Sequence, residues 1–162
     1  MNGLMTDAFE DMRSTIEDAS ARLLSITEAE SEARRQPGKW SAKEILGHLI
    51  DSAANNHARF VTAQLKDDLV FNGYDQEAWV ATQRYHQSSW PALVTLWKSY
   101  NLHLLHVVSS IEEDKLAKPY HEHSLDSIAW KLVDKSKPAT LEYLIRDYIE
   151  HMKHHLRQIF DA

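Results

Sequence analysis

Apolar residues recur at steps of three and four along most of this chain, which is the spacing that places side chains on one face of an α-helix. The first such stripe predicts an amphipathic helix from Leu4 to about Arg35, with charged residues on its other face. Its apolar positions are Met5, Phe9, Met12, Ile16, Ala19, Leu23 and Ile26. The segment Gln36-Pro37-Gly38-Lys39 follows, and its proline and glycine predict the end of this helix.

A second helix is predicted from the segment that begins at Trp40. Ser41 and Glu44 have the spacing of a capping box, in which the serine hydroxyl and the glutamate carboxylate each accept a backbone N–H of the helix N-terminus. The apolar stripe continues to about Leu65. His48 lies at the edge of this stripe, in the second turn of the helix.

Two further helices follow in the second half of the chain. Ser88 or Ser89 is placed to cap the third helix, which the pattern extends to Ile111, and Thr140 is placed to cap the fourth, which runs to the C-terminus. The third helix carries apolar residues on more than one side. A position at the centre of the fold explains this pattern, and a contact between two copies of the chain explains it equally well.

Two long connections separate these helices, at residues 67–87 and 112–139. The first is predicted to contain a helical turn from Glu77 to Thr82, and the second a short strand or turn from Ser127 to Val133. No segment shows convincing strand alternation. We therefore predict an all-α fold, a four-helix bundle, formed by residues 1–162 as a single domain.

Composition narrows the class of protein. The chain is 43% hydrophobic and 26% charged, as in ordinary globular proteins, and it has no apolar run of about 18 residues that could span a membrane. The absence of cysteine excludes disulfides and thiolate metal sites, and fits a reducing compartment. The net charge of −6 argues against a nucleic-acid partner, which needs a basic surface. No signal peptide is visible, so we expect a cytoplasmic protein that acts on a small molecule, without a membrane partner.

The fourth helix carries a candidate metal site. His151 and His155 are one helical turn apart, so their imidazoles project from one face and can share a metal ion. A metal needs a third ligand, and His48 comes level with this pair if the second and fourth helices are antiparallel. That direction predicts an up-down-down-up order, with a long crossover between helices 2 and 3. The 67–87 connection is long enough for it, at about 3.3 Å per residue.

Two segments together resemble the DinB/YfiT-like family of small bacterial metal-binding bundles. They are Trp40-Ser41-x-x-Glu44-Ile45-Leu46-x-His48-Leu49 and His151-x-x-His154-His155-x-x-Gln158-Ile159. The resemblance covers essentially the whole chain and implies an up-down-down-up bundle, frequently a homodimer, with a three-histidine site for a divalent metal. The family's first ligand matches His48, and its C-terminal pair matches His151 and His155.

Two residues beside this trio are further candidates. Asp147 precedes His151 by one turn and could accept its other ring N–H, whereas a solvated charge, or a pair with Arg146 or a neighbouring lysine, is the plainer interpretation. His154 points about 100° away from His155 around the helix. We therefore expect His154 to be exposed, or to lie beside the ligands without binding the metal.

The resemblance also sets the expected function. Three neutral imidazoles leave open positions on zinc, nickel or iron, which is typical of a catalytic or ligand-binding site. Some relatives use low-molecular-weight thiols in transferase or isomerase reactions, and others are proposed hydrolases. We first expect a thiol-dependent S-transferase acting on small electrophiles, with the thiol as co-substrate. The alternatives are a metal-dependent hydrolase and a non-enzymatic, stress-associated metal- or ligand-binding protein. No general base can be assigned from the sequence.

Overall fold

Four long helices carry the fold in the computed structural model, which describes residues 3–161. The helices are α1 (Thr6–Leu24), α2 (Glu28–Glu32), α3 (Ala42–Ala63), α4 (Gln76–Gln83), α5 (Trp90–Ser109), α6 (Glu113–Ala117), α7 (Leu125–Ile128) and α8 (Leu141–Phe160), with 3₁₀ turns at Gly3–Met5 and Tyr85–Gln87. In the bundle, α1 packs against α5 and α8, and α3 packs against the same two helices. Residues 3–161 contain isolated β-bridges but no strand, so the prediction of an all-α bundle is confirmed.

The directions of α1 and α8 follow from ion pairs between them. Arg146, near the start of α8, pairs with Asp7 near the start of α1 at 3.2 Å, and Lys153 pairs with Asp11 further along at 2.8 Å. The two helices therefore run parallel. By contrast, the indole Nε1 of Trp90, the first residue of α5, donates to the carbonyl of α1 just before that helix ends. Hence α5 runs opposite to α1.

The direction of α3 completes the topology. Lys43, near its start, reaches the carbonyl of His86 just before α5 begins, and His57, in the second half of α3, contacts Tyr100 near the middle of α5. These contacts make α3 parallel to α5. His48, near the start of α3, meets His151 in the second half of α8, so those two helices are antiparallel. The predicted up-down-down-up order is confirmed.

The crossover from α3 to α5 returns along the length of the bundle, because those helices are parallel. It contains α4, which confirms the predicted helical turn. Asp75 caps α4 by accepting the N–H of Ala78 at 3.0 Å. Arg84 ends it in the left-handed region, with φ 52°. The crossover thereby places α4 and the 3₁₀ turn after it against α3.

One sequence prediction is corrected here, and one open choice is resolved. The first helix ends at Leu24 rather than near Arg35, because Thr27 and Glu30 form a capping box that starts the separate helix α2. Of the two alternatives predicted for Ser127 to Val133, a short strand or a turn, the structure has the turn: the segment begins in the helical turn α7 and continues as irregular chain.

The apolar residues of α5 differ in how far they are exposed to solvent. Trp97 is fully buried, whereas Leu96, on another side of the helix, is 49% exposed. Burial within one chain therefore accounts for only part of the pattern, and the homodimer stays a prediction. Among residues 3–161, no helix is long and apolar enough to cross a membrane.

Candidate metal centre

The position of His48 is fixed by the start of α3. The predicted capping box is present: Glu44 N–H donates to Ser41 Oγ at 3.3 Å, and Ser41 N–H donates to Glu44 Oε2 at 2.8 Å. These bonds begin the helix at Ala42 and set His48 in its second turn. Its side chain is fully buried, packed between α3 and α8.

Antiparallel packing brings the histidines of α8 level with His48. The Nε2 atoms of His48 and His151 lie 3.2 Å apart, and ligand atoms of His48, His151 and His155 all lie within 4.8 Å of one another. Two nitrogens bound to one tetrahedral zinc at about 2.0–2.1 Å are about 3.3 Å apart. The His48–His151 separation therefore fits a shared metal ion.

Burial keeps these imidazoles neutral. It lowers the pKa of His48 to about 4, with a smaller effect of the neighbouring His155. It lowers the pKa of His151 to about 3, where the surrounding imidazoles add to the effect, and it also lowers the pKa of His155. A metal binds the neutral ring, so the trio is in the ligating protonation state at neutral pH.

Gln158 orients His155. Its Oε1 accepts a hydrogen bond from His155 Nδ1 at 2.7 Å, so the proton of the neutral ring resides on Nδ1 and the lone pair on Nε2 is free to bind a metal. The Nε2 of His154 accepts from the Gln158 amide at 3.2 Å, which occupies that nitrogen. His154 is half-buried beside the trio and does not belong to the three-residue cluster.

His48 is held by packing rather than by such a bond. Its Nδ1 is buried and has no hydrogen-bond partner among residues 3–161. Instead, the ring of Trp40 lies against it, with centroids 5.2 Å apart. Trp40 immediately precedes the capping serine, so the helix start and the packing of His48 are set by neighbouring residues.

Asp147 anchors a loop over the site. Its carboxylate oxygens accept the backbone N–H groups of Trp130 and Lys131, both at 2.8 Å. The Trp130 ring packs against His154 and His151, with centroid distances of 5.1 and 6.0 Å. Asp147 is buried, and Arg146 pairs elsewhere, so the interpretation as a solvated or Arg146-paired charge is wrong. The bond to the His151 ring, its other predicted role, is also not formed: the carboxylate bonds the loop backbone.

A cavity of about 380 Å³ adjoins the trio between α3 and α8. Its lining includes His151, His154, His155, Trp130 and Asp147. A wider surface depression of about 740 Å³ reaches His154 and His155 from the side of Trp40. His151 and His155 are therefore accessible to a small molecule, as an open metal site requires, whereas His48 is fully buried behind them.

No other group of three histidine or carboxylate side chains in residues 3–161 has metal-binding spacing. His57 and His103 are in ring contact, with centroids 5.1 Å apart, but His57 Nδ1 bonds the Tyr100 hydroxyl at 3.2 Å. His123 is a structural residue, since its Nε2 donates to the carbonyl of Lys137 at 2.7 Å.

Comparison with known proteins identifies relatives that share this fold. The sequence profile of the DinB superfamily matches residues 11–159. The chain is 18% identical over 134 residues to the "Putative metal-dependent hydrolase YfiT" of Bacillus subtilis (strain 168), which covers 83% of this chain and 70% of the relative. The solved structure of YfiT from Bacillus subtilis, described as an unusual four-helix bundle topology, has a TM-score of 0.77 at 16% identity. That match covers 99% of this chain and 87% of the other, so the two proteins share a fold.

Proposed function

Because the chain belongs to the DinB superfamily, we propose that it is a metal-dependent hydrolase of small molecules, with His48, His151 and His155 as the metal ligands. The buried cluster of three imidazoles is the observation that carries this proposal. The relative YfiT bears a name of the same reaction class.

The donor set determines what the site can hold. Three neutral imidazoles suit zinc, nickel or iron, and three protein ligands leave at least one position open. A divalent metal bound there would lower the pKa of a coordinated water and polarise a carbonyl or phosphoryl oxygen.

The surrounding residues of the chain have separate tasks. Gln158 holds the Nδ1 proton of His155 and so leaves the lone pair on Nε2 free for a metal that the trio would bind. Trp130 packs against His151 and Trp40 packs against His48, so each indole restricts the orientation of one imidazole. Asp147 acts through Trp130, since it fixes the backbone that carries the indole.

The thiol S-transferase expected first from the sequence becomes the alternative. The chain has no cysteine, so a thiol would have to enter as a second substrate, and nothing in the similarity to YfiT points to one. An assay of turnover with and without an added thiol separates hydrolysis from thiol transfer.

Turnover by reconstituted protein tests the proposal. The metal-free protein is loaded separately with Zn²⁺, Ni²⁺ or Fe²⁺ and given small esters, amides and phosphoesters, each with and without glutathione or free cysteine. We expect hydrolysis that depends on the metal and not on the thiol. His48→Gln should reduce it at least about 100-fold, whereas His154→Gln, on the neighbouring face, should retain bound metal and most activity. Turnover that requires the thiol would establish the transferase, and no turnover with any of the three metals would contradict both reactions.

A further inference from the structure

The cavity beside the histidine trio extends well away from it. Along α8 its lining runs from His155 back to Leu144, about 16 Å at 1.5 Å per residue. Along α3 it runs from Ser52 through Asn56 to Arg59. These residues lie on the same face of α3 as His48, because Arg59 comes about three helical turns after His48. The cavity therefore has the imidazoles at one end and a guanidinium at the other.

Arg59 is a buried cation with neutral partners. It is 7% exposed, and its hydrogen bonds go to the carbonyl of Asn72 at 3.0 Å and to Asn56 Oδ1 at 3.5 Å. No carboxylate in residues 3–161 lies within the 4.0 Å of an ion pair with it. A guanidinium has five N–H donors, and two are used here, so most of its hydrogen-bonding capacity remains available.

Lys43 shows how the same fold treats its other buried cation. It is 1% exposed, and its ammonium is paired with the carboxylates of both Glu28 and Glu32. Burial of a charge without such a partner is costly, because water no longer solvates it. Arg59 lacks the partner that Lys43 has, and it faces a cavity large enough for a small molecule.

We propose that Arg59 is a substrate-binding residue that takes a carboxylate or phosphate group of the substrate. The planar fork of arginine matches the two oxygens of such a group, so an anion entering the cavity would supply the missing counter-charge. The substrate class is then a small anion whose charged group and scissile bond are separated by less than about 16 Å, the length of the cavity. This specificity rests on the proposed hydrolase function, but anion binding by Arg59 can be measured without any reaction.

The experiment uses metal-free protein, so that an anion cannot bind through the metal. Binding of glutarate, of inorganic phosphate and of neutral glutaramide is measured by calorimetry or by NMR chemical shifts. We expect glutarate or phosphate to bind at least about 10-fold more tightly than glutaramide, and the preferred anion identifies the charged group of the substrate. Arg59→Met should reduce this affinity at least about 10-fold, and Arg59→Lys, which keeps the charge but loses the fork, should reduce it less. Arg13→Met removes an exposed arginine of α1 and should change nothing.

If Arg59 only stabilises the fold, the experiment has a different outcome. In that case Arg59→Met lowers the Tm and leaves anion affinity unchanged, which would overturn the proposal, as would equal binding of glutaramide and both anions by the wild type. Under the proposal the Tm of Arg59→Met without anion is unchanged or raised, because an unpaired buried charge has been removed. If Arg59→Met fails to fold, Arg59→Lys decides by its affinity. Hydrolysis of neutral esters that is indifferent to Arg59 would contradict this specificity and leave the hydrolase intact.

Discussion

The Nε2 atoms of His48 and His151 lie 3.2 Å apart, although 103 positions separate the two residues in the chain. One residue is fixed by a capping box at the start of α3, and the other lies in the second half of α8. Only the antiparallel packing of these two helices brings them together. At this distance one imidazole can donate a hydrogen bond to the other, and the same separation matches two nitrogens bound to one metal ion.

Metal content is the first prediction. We expect about one divalent ion per chain by elemental analysis after mild purification, and loss of that ion in the double variant His48→Ala, His151→Ala. Chelation should lower the Tm, because a ligand at 100 times its Kd stabilises the folded state by about 2.7 kcal/mol. His121→Ala, which removes an exposed histidine outside the site, is the control and should keep full occupancy. Full metal content in the double variant would rule out this ligand set.

Asp147 gives the second prediction. Asp147→Ala removes the acceptor of two backbone N–H groups in a buried setting, so we expect destabilisation of about 1–3 kcal/mol. The amides of Trp130 and Lys131 should lose protection in hydrogen exchange, because their partner is gone. Asp134→Ala removes an exposed carboxylate that bonds only Ser136 nearby, and it should leave those two amides protected. Unchanged exchange in Asp147→Ala would show that the loop is held by other contacts.

The main features of the fold follow from local sequence signals. The Ser41–Glu44 box, the apolar periodicity and the one-turn spacing of His151 and His155 are local properties, and each has the structure that its spacing predicts. The wrong prediction for the end of α1 also concerns local signals, because two of them conflict there. The apolar stripe continues past Leu24, but the capping box of Thr27 and Glu30 restarts the helix, and that second signal overrides the stripe.

The surroundings of the site depend on contacts between distant segments. Trp130 reaches the imidazoles because Asp147, 17 residues later, binds its backbone, and no periodic pattern marks an irregular loop. Arg59 is different. It lies on the same helical face as His48, three turns away, so its position could be found from the sequence, whereas its lack of a carboxylate partner could not.

Gly47 gives the third prediction. A Cβ at this position would overlap the ring of Tyr85, which packs directly on the α3 backbone next to His48. The gain in helix propensity on Gly47→Ala is up to about 1 kcal/mol. The displaced ring should cost more, so we expect net destabilisation of about 1–3 kcal/mol in urea unfolding, together with weaker metal binding. Gly73→Ala, outside any helix, is the control for adding a methyl group, because its Cβ would make only an ordinary contact with Ile128 at 3.8 Å. Equal stability of the two variants would mean that displacing the Tyr85 ring costs no more than the helix propensity that Gly47→Ala gains.

Asp51 gives the fourth prediction, which concerns pH. Its Oδ1 accepts from the Tyr85 hydroxyl at 2.6 Å and from the Gln83 amide at 2.7 Å, while its buried Oδ2 has no partner among residues 3–161. Burial raises the pKa of Asp51 above its usual 3.8, and these two hydrogen bonds offset only part of that rise. The unfolded chain therefore loses this proton at a lower pH than the folded protein. As a result, the contribution of Asp51 to stability falls as the pH rises from about 3.8 through its raised pKa.

Asp51→Asn should remove this pH-dependent loss. The asparagine oxygen can keep both hydrogen bonds of Oδ1, and no charge remains to be buried. We expect the variant to match or exceed the wild-type urea midpoint at pH 7, with an advantage that shrinks as the pH approaches 4. Asp147→Asn is the informative comparison, because both oxygens of that carboxylate accept N–H groups and an amide nitrogen would oppose one of them. It should be destabilised at pH 7. A loss of stability in Asp51→Asn as large as that in Asp147→Asn would show that the charge of Asp51 stabilises the fold despite its unpartnered oxygen.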